Sequence, residues 1–321
     1  MGKGWLEMNT FRGNEWTWIR LDVDEKEKCR DYIDPMHWRR CREWFDGIGI
    51  ADRNDLRMVT EVSGQECLFG SFVYRQDLHE KDDFTILHFY LTRNTLVTVN
   101  LNPALIQKTS MDQILRLVKS AEDAIDAFFI LQGELMNEFL YGIDEFETKL
   151  RELIWKFYND NGTHILEQIH KHRHELLVLK GLIHSVKENQ FAVEEAFLIE
   201  SGDRVGHERT ARRVKRGSTL IAGYEEEIEN LYHSEEVVSS YRGNEITKAL
   251  TIFTTIFTPM TALGAIWGMN FKHMPELDWK YGYAASLVLI FALTVLIYLF
   301  LQQKGWTGDL LKKKKRKSFY K

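Results

Sequence analysis

The sequence predicts an α+β cytoplasmic domain followed by a long stalk helix and two transmembrane helices. Three observations predict it. The first hundred residues are mostly short β-rich runs, with one helical stretch among them. From Ser110 onward, apolar residues recur at helical spacing. Two runs near the C-terminal end, 249–267 with 19 residues and 284–301 with 18, carry no charge. A bilayer core takes roughly 20 apolar residues in a helix, so each run is long enough to cross one.

Taken in order, WTWIRLD (16–22) reads as a strand and 25–45 as a helix. DLRMVTEV and CLFGSFVYR read as strands parted by Ser63 and Gly64. FTILHFYLTRNTLVTVNL reads as a hairpin, with Arg93 and Asn94 at the turn between β-branched and aromatic runs. Strands following one another in this way predict a largely antiparallel sheet with helices packed on it. Helices are expected over 112–139, over 144–186 with a weak point near 159–162, and over 191–199. In the first of these, Ile114, Leu115, Val118, Ala121, Ile125, Phe128 and Phe129 keep the 3.6-residue period. A helix from Gly206 to Trp267 would span roughly 90 Å at 1.5 Å per residue. A soluble domain of this size has no use for such a rod, whereas a stalk entering a membrane does. The expected divisions are therefore 1–109 (α/β), 110–205 (helical), 206–268 (stalk and first membrane helix), 269–282 (external loop), 283–302 (second membrane helix) and 303–321 (basic tail).

Composition narrows the function. The four prolines in 321 residues favour long helices. Cys29, Cys41 and Cys67 are odd in number and unclustered, against both a disulfide framework and a zinc site. The first residues contain no apolar core of a cleaved signal, which places the N-terminal domain in the cytoplasm. Net charge is −5, but 304–321 alone carries +7, leaving −12 on the rest. An acidic body with a short basic tail argues against nucleic acid as a partner. It either keeps the body soluble or concentrates cations. No Ser/His/Asp or Cys/His arrangement and no Walker-type glycine loop is present, so the chain does not read as an enzyme.

Arg242 and Lys248 precede the first uncharged run, and Lys304 and KKKKRK follow the second. The connecting loop balances Lys272 and Lys280 with Glu276 and Asp278. By the positive-inside rule both termini face the cytoplasm of a cell-membrane protein. The first run is more than an anchor. Thr247, Thr251, Thr254, Thr258 and Thr261 recur at spacings of 4, 3, 4 and 3, and Asn244 and Gly268 extend that face. Small polar residues also pack helices together. The alternative is a wall that meets water, and two helices from one chain cannot enclose a hydrated path. The stripe then requires a ring of identical subunits, each giving its first membrane helix, with the second helix facing lipid.

The stretch NEITKALTIFTTIFTPMTALGAIWGMNFKHMPELDWKYGY resembles the CorA family of divalent-cation transport proteins. The likeness rests on Gly268-Met269-Asn270 at the outer end of the first membrane helix, the MPEL that follows, and the second helix ending in QQKGW. It implies a homopentameric, funnel-shaped channel, each chain joined by four identical subunits, carrying Mg²⁺ with Co²⁺, Ni²⁺ or Zn²⁺ as further candidates and no bound cofactor. It also implies that Gly268, Met269 and Asn270 form the outer selectivity ring, with Asn270 holding the hydrated ion through its water shell. Asn244, Thr247, Leu250, Thr254, Thr258 and Thr261 fall on its pore-lining positions, and Thr251 lies on the same stripe. Glu276 in the loop would raise the local cation concentration. Thr247 and Thr258 are smaller and more polar than the methionines usual there, Lys272 and His233 stand where acids are frequent, and Arg209 stands near an expected acid on the stalk.

His170 and His174, four residues apart, form a separate metal-ligand candidate, though Lys171 and Arg173 beside them read as a solvated face. Two other functions compete with Mg²⁺ uptake. One is a Zn²⁺ transporter of the related ZntB branch, and the other is a membrane-anchored sensor or scaffold whose threonines only pack helices.

Overall fold

A computed structural model describes residues 10–12, 15–23, 25, 30, 33–48, 54–78, 80, 82–106, 108–159, 164–200, 204–270, 272, 274 and 278–306. The chain divides into two units, 1–232 and 233–321.

In the first unit the strands β1 (Thr10–Arg12), β2 (Thr17–Leu21), β3 (Asp55–Val59), β4 (Cys67–Gln76), β5 (Phe84–Leu91) and β6 (Thr95–Val99) form one sheet in the order β1-β2-β6-β5-β4-β3. Every pairing is antiparallel except β2 with β6, so the sheet is largely antiparallel, as expected. The hairpin turn falls on Arg93 and Asn94: the Thr92 and Thr95 backbones close it through a 2.8 Å bond. Alternation along these strands sends side chains to two cores. Leu87, Phe89, Leu91 and Leu96 join one with the helices α2 (Met111–Val118), α3 (Ala124–Asn159) and α4 (Ile165–Phe197). Tyr90, Val97 and Val99 join the other beneath α1 (Pro35–Gly47). Burial on both faces explains why β5 and β6 read as nearly unbroken apolar runs.

Three helix boundaries differ from expectation. Of the helix expected over 25–45, residues 26–29, 31 and 32 lie outside the described residues; the observed helix starts at Pro35, where the Asp34 carboxylate accepts the Met36 N–H at 2.9 Å. Proline has no N–H to donate and suits a first turn, not an interior. The helix expected over 112–139 is two: α2, capped by the Ser110 hydroxyl, stops at Val118, and α3 restarts at Ala124 and runs unbroken to Asn159. The short helix expected over 191–199 is the end of α4, which closes on Leu198 at a positive φ of 51°. Strand β1 pairs with β2 through only three residues, too few to show a pattern.

Phe128 ties α3 to the sheet. Its side chain is fully buried with its ring centroid 4.6 Å from that of Phe89. Phe128→Ala is expected to destabilise the first unit by about 3–5 kcal/mol, since the cavity cannot collapse between a helix and a sheet. Chemical denaturation of the detergent-solubilised chain reads this directly, and Phe128→Leu should recover most of the loss.

Helix α5 (Val205–Trp267) begins in the first unit and ends in the second, and α6 (Gly282–Gln303) lies in the second. In the first unit α5 docks on α3 and α4 through polar anchors. The Thr210 hydroxyl donates to the Phe129 carbonyl at 2.8 Å, Arg213 reaches Glu134 at 2.9 Å, and His207 meets Glu194 at 2.7 Å. The 63 residues of α5 correspond to the expected stalk and first membrane helix together.

Candidate functional site

The second unit contains two helical segments long and apolar enough to cross a membrane, one in α5 and one in α6. Large apolar side chains such as Phe291, Leu296 and Phe300 stay open on α6, as a surface facing lipid requires. Each helix has one half-buried stripe. On α5 it includes Ile252, Thr255, Ile256 and Pro259, and on α6 Gly282, Ser286, Ile290 and Thr294. These are the faces the two helices can offer each other.

The expected polar residues lie elsewhere on α5. Asn244, Thr247, Leu250, Thr251, Thr254, Thr258 and Thr261 are all exposed in the single chain. At 100° per residue their face turns away from the Ile252 stripe. Each threonine of this face donates its hydroxyl proton to the carbonyl four residues back: Thr247 to Gly243 at 3.0 Å, Thr251 to Thr247 at 2.8 Å, Thr254 to Leu250 at 3.0 Å, Thr258 to Thr254 at 2.7 Å and Thr261 to Phe257 at 3.0 Å. A hydroxyl has one proton and two lone pairs. With the proton held inward, the surface that remains is a row of acceptors. Pro259 removes the N–H that the Thr255 carbonyl would take, yet α5 continues to Trp267.

Charge is kept off this face. Arg242 pairs with Glu235 at 3.9 Å and Lys248 with Glu245 at 3.5 Å, and all four are at least half-buried on the opposite side of the helix. Below Asn244 the same face carries Ser240, Glu236 and His233, with the last two 3.7 Å apart. From Asn244 to the end of the helix it carries no ionisable group.

At the end of α5 the Gly268 N–H bonds the Gly264 carbonyl at 3.0 Å and the Met269 N–H tightens onto Ile266 at 3.2 Å. A side chain on residue 268 would sit 3.1 Å from the Gly264 oxygen, so glycine lets this last turn close without crowding the carbonyl. Met269 is about half-exposed. Asn270 lies just past the turn, exposed, and its amide has no partner among the described residues. Glu276, with 275 and 277 on either side, lies outside the described residues, as does the KKKKRK tail.

His170 and His174 are exposed on α4, and the His170 ring packs edge-on against Tyr232 at 5.7 Å. Among the described residues, no three His, Cys, Asp or Glu side chains converge to hold a metal ion. Sequence reasoning missed the polar cluster that ties α3 to α5, where Thr109, Asn137 and Arg213 all bond Glu134. Its only signal was that Asp126 and Glu134 stand about two turns apart, on one face, in the largely apolar first part of α3.

Comparison with known proteins gives a consistent result. The family model described as "CorA-like Mg2+ transporter protein" matches residues 49–312. The chain is 48% identical over 310 residues to the magnesium transport protein CorA of Bacillus subtilis, covering 97% of each chain. Among solved structures, it is similar to the CorA magnesium transporter of Methanocaldococcus jannaschii, with a TM-score of 0.59 and 19% identity over 92% of this chain and 93% of that one. It is also similar to the full-length CmaX protein, with a TM-score of 0.60 and 17% identity over 95% and 93%. At these identities the two structures speak to the fold.

Proposed function

The chain belongs to the CorA-like Mg²⁺ transporter family, and from that premise we propose that five copies line a path for hydrated Mg²⁺ across the cell membrane. It is a membrane protein of a transport family, and its role is conduction and not catalysis. The observation that carries the reading is the uncharged, exposed row of threonine acceptors that ends on the Asn270 amide.

Mg²⁺ holds its waters in a near-ideal octahedron and gives them up reluctantly. The outside of that shell presents only water protons. A wall that presents only acceptors is its complement, and the threonines, with their own protons turned inward, make one. At the outer end, five Asn270 carbonyl oxygens would meet the shell by hydrogen bonds. Neutral amides select by geometry yet release the ion, whereas a ring of carboxylates would hold it more tightly. Met269 packs and does not coordinate, because a thioether is a poor ligand for a hard cation. Gly268 keeps the ring's inner edge clear.

Two helices per chain cannot surround a hydrated ion, so the path needs several copies, each turning the threonine face inward and α6 outward. With both termini cytoplasmic, a potential of 100 mV, negative inside, favours entry of a divalent ion by about 4.6 kcal/mol, enough to drive uptake without ATP. Glu276, if the loops cluster, adds a negative field at the mouth.

Reconstituting the purified chain in liposomes and offering Mg²⁺, Co²⁺, Ni²⁺ and Zn²⁺ separately tests the assignment. Mg²⁺ uptake above that of empty liposomes is expected. Preference for Zn²⁺ over Mg²⁺ would replace the cargo, and absence of any flux would leave the scaffold reading.

A further inference from the structure

The threonine row of α5 is uncharged, but its N-terminal approach is not. His233 and Glu236 each stand eleven residues before a member of the exposed face, Asn244 and Thr247. Eleven residues make three full turns and about 20°, so both side chains fall on that face, roughly 16 Å further down the helix. They are 62% and 67% exposed. The charged pairs Glu235–Arg242 and Glu245–Lys248 lie on the opposite side. His233 is the only imidazole among the described residues of the second unit.

The geometry of the pair suits a metal ion better than a hydrogen bond. The His233 Nδ1 and the Glu236 Oε2 are 3.7 Å apart, too far for nitrogen to donate to oxygen. Tetrahedral Zn²⁺ takes imidazole nitrogen at about 2.0–2.1 Å and carboxylate oxygen at about 2.0–2.2 Å, which sets two such ligands about 3.3–3.5 Å apart. Two exposed side chains can close the remaining few tenths of an ångström. The ligand types add a preference. Imidazole suits Zn²⁺ and Ni²⁺, whereas hard Mg²⁺ takes oxygen and keeps its waters. One chain supplies only two ligands, in keeping with the absence of any group of three among its described residues.

We propose that His233 and Glu236 form a half-site for a transition-metal ion of the Zn²⁺ or Ni²⁺ type, completed by the same pair of a neighbouring copy at the inner end of the Mg²⁺ path. The half-site rests on the ring of copies inferred for conduction and adds regulation to it. An ion held there stands in the path and slows Mg²⁺, so the inner end discriminates between ions by ligand chemistry, which the neutral row does not. Two pairs on α4 have the same spacing, His164–Glu167 at 3.8 Å and His184–Glu188 at 3.7 Å. Neither lies on the α5 face that the ring brings together, so they serve as internal controls.

Calorimetric titration of the full-length protein in detergent with ZnCl₂, in the presence of millimolar MgCl₂, tests the site. A tight component that excess Mg²⁺ does not displace is expected. His233→Gln and Glu236→Gln should each weaken it at least about tenfold, no less than losing an outer-shell partner costs a metal site. His164→Gln and His184→Gln should leave it in place. In proteoliposomes, Zn²⁺ on both sides should slow the entry of isotopically labelled Mg²⁺ through the wild type. His233→Gln should need at least about tenfold more Zn²⁺ for the same fractional slowing, each protein being measured against its own zinc-free rate. Absence of the tight component, or a loss as large with His184→Gln as with His233→Gln, would overturn the proposal. So would slowing by Zn²⁺ that is indifferent to His233. Wild-type Mg²⁺ uptake without His233-dependent Zn²⁺ binding would sink the half-site and leave conduction standing. His233-dependent binding in a chain that takes up no Mg²⁺ would support the half-site and contradict conduction.

Discussion

Asn270→Ala is expected to lower the initial rate of Mg²⁺ uptake into proteoliposomes at least about a hundredfold while leaving the assembled protein intact. The size follows from repetition. A ring of five would lose five amides at once, and each net hydrogen bond contributes about 0.5–1.5 kcal/mol. Even the lower figure sums to about 2.5 kcal/mol, close to a hundredfold. This amide is exposed and has no partner among the described residues, so the fold should not respond. Asn270→Asp gives the complementary result. Five carboxylates would hold the ion more tightly, lowering the apparent KM and slowing release, so the maximal rate falls as affinity rises. Uptake by Asn270→Ala equal to wild type would remove Asn270 from the path.

The second large effect is expected from Thr254→Val combined with Thr258→Val. Valine keeps the shape of threonine but removes the lone pairs that face outward, and two such rings close together form an apolar constriction that sheds water. Uptake should fall at least about tenfold, one order for a loss of roughly 1.4 kcal/mol. Helix α5 should be undisturbed, because the lost hydroxyl bonds run to carbonyls already in the helical ladder. Thr255→Val is the internal control. Its hydroxyl bonds the Thr251 carbonyl at 2.7 Å in the same way, but its side chain lies on the half-buried face. A loss at Thr255 equal to the loss at Thr254 and Thr258 would mean the threonines serve helix packing alone.

Much of this was legible in the residues, for reasons that differ by element. Strands β4 to β6 were clear because β-branched and aromatic runs are bounded by turn residues, and the Arg93-Asn94 turn fixes the register of β5 on β6. The threonine stripe was clear because helical periodicity projects directly onto a face. The start of α1 was misread because the apolar pattern runs back past Pro35, where only the missing N–H and the Asp34 cap mark the boundary. The break between α2 and α3 was hidden by apolar spacing that carries on through Ala121 into the second helix. The packing of α5 on α3 could not be placed from the sequence. Glu134 and Arg213 meet at 2.9 Å but are 79 residues apart, and only the docking of α5 on α3 brings them together. The exposure of the stripe was likewise a matter of tertiary structure, since a periodic pattern does not say which side of a helix a neighbour covers.

Conduction of Mg²⁺ down the electrical gradient is checked by the initial rate of Mg²⁺ entry into wild-type proteoliposomes at a series of imposed potentials. Uptake without nucleotide that rises steeply as the interior is made more negative is the predicted result. Entry no faster than into empty liposomes, or a rate indifferent to the potential, would contradict it.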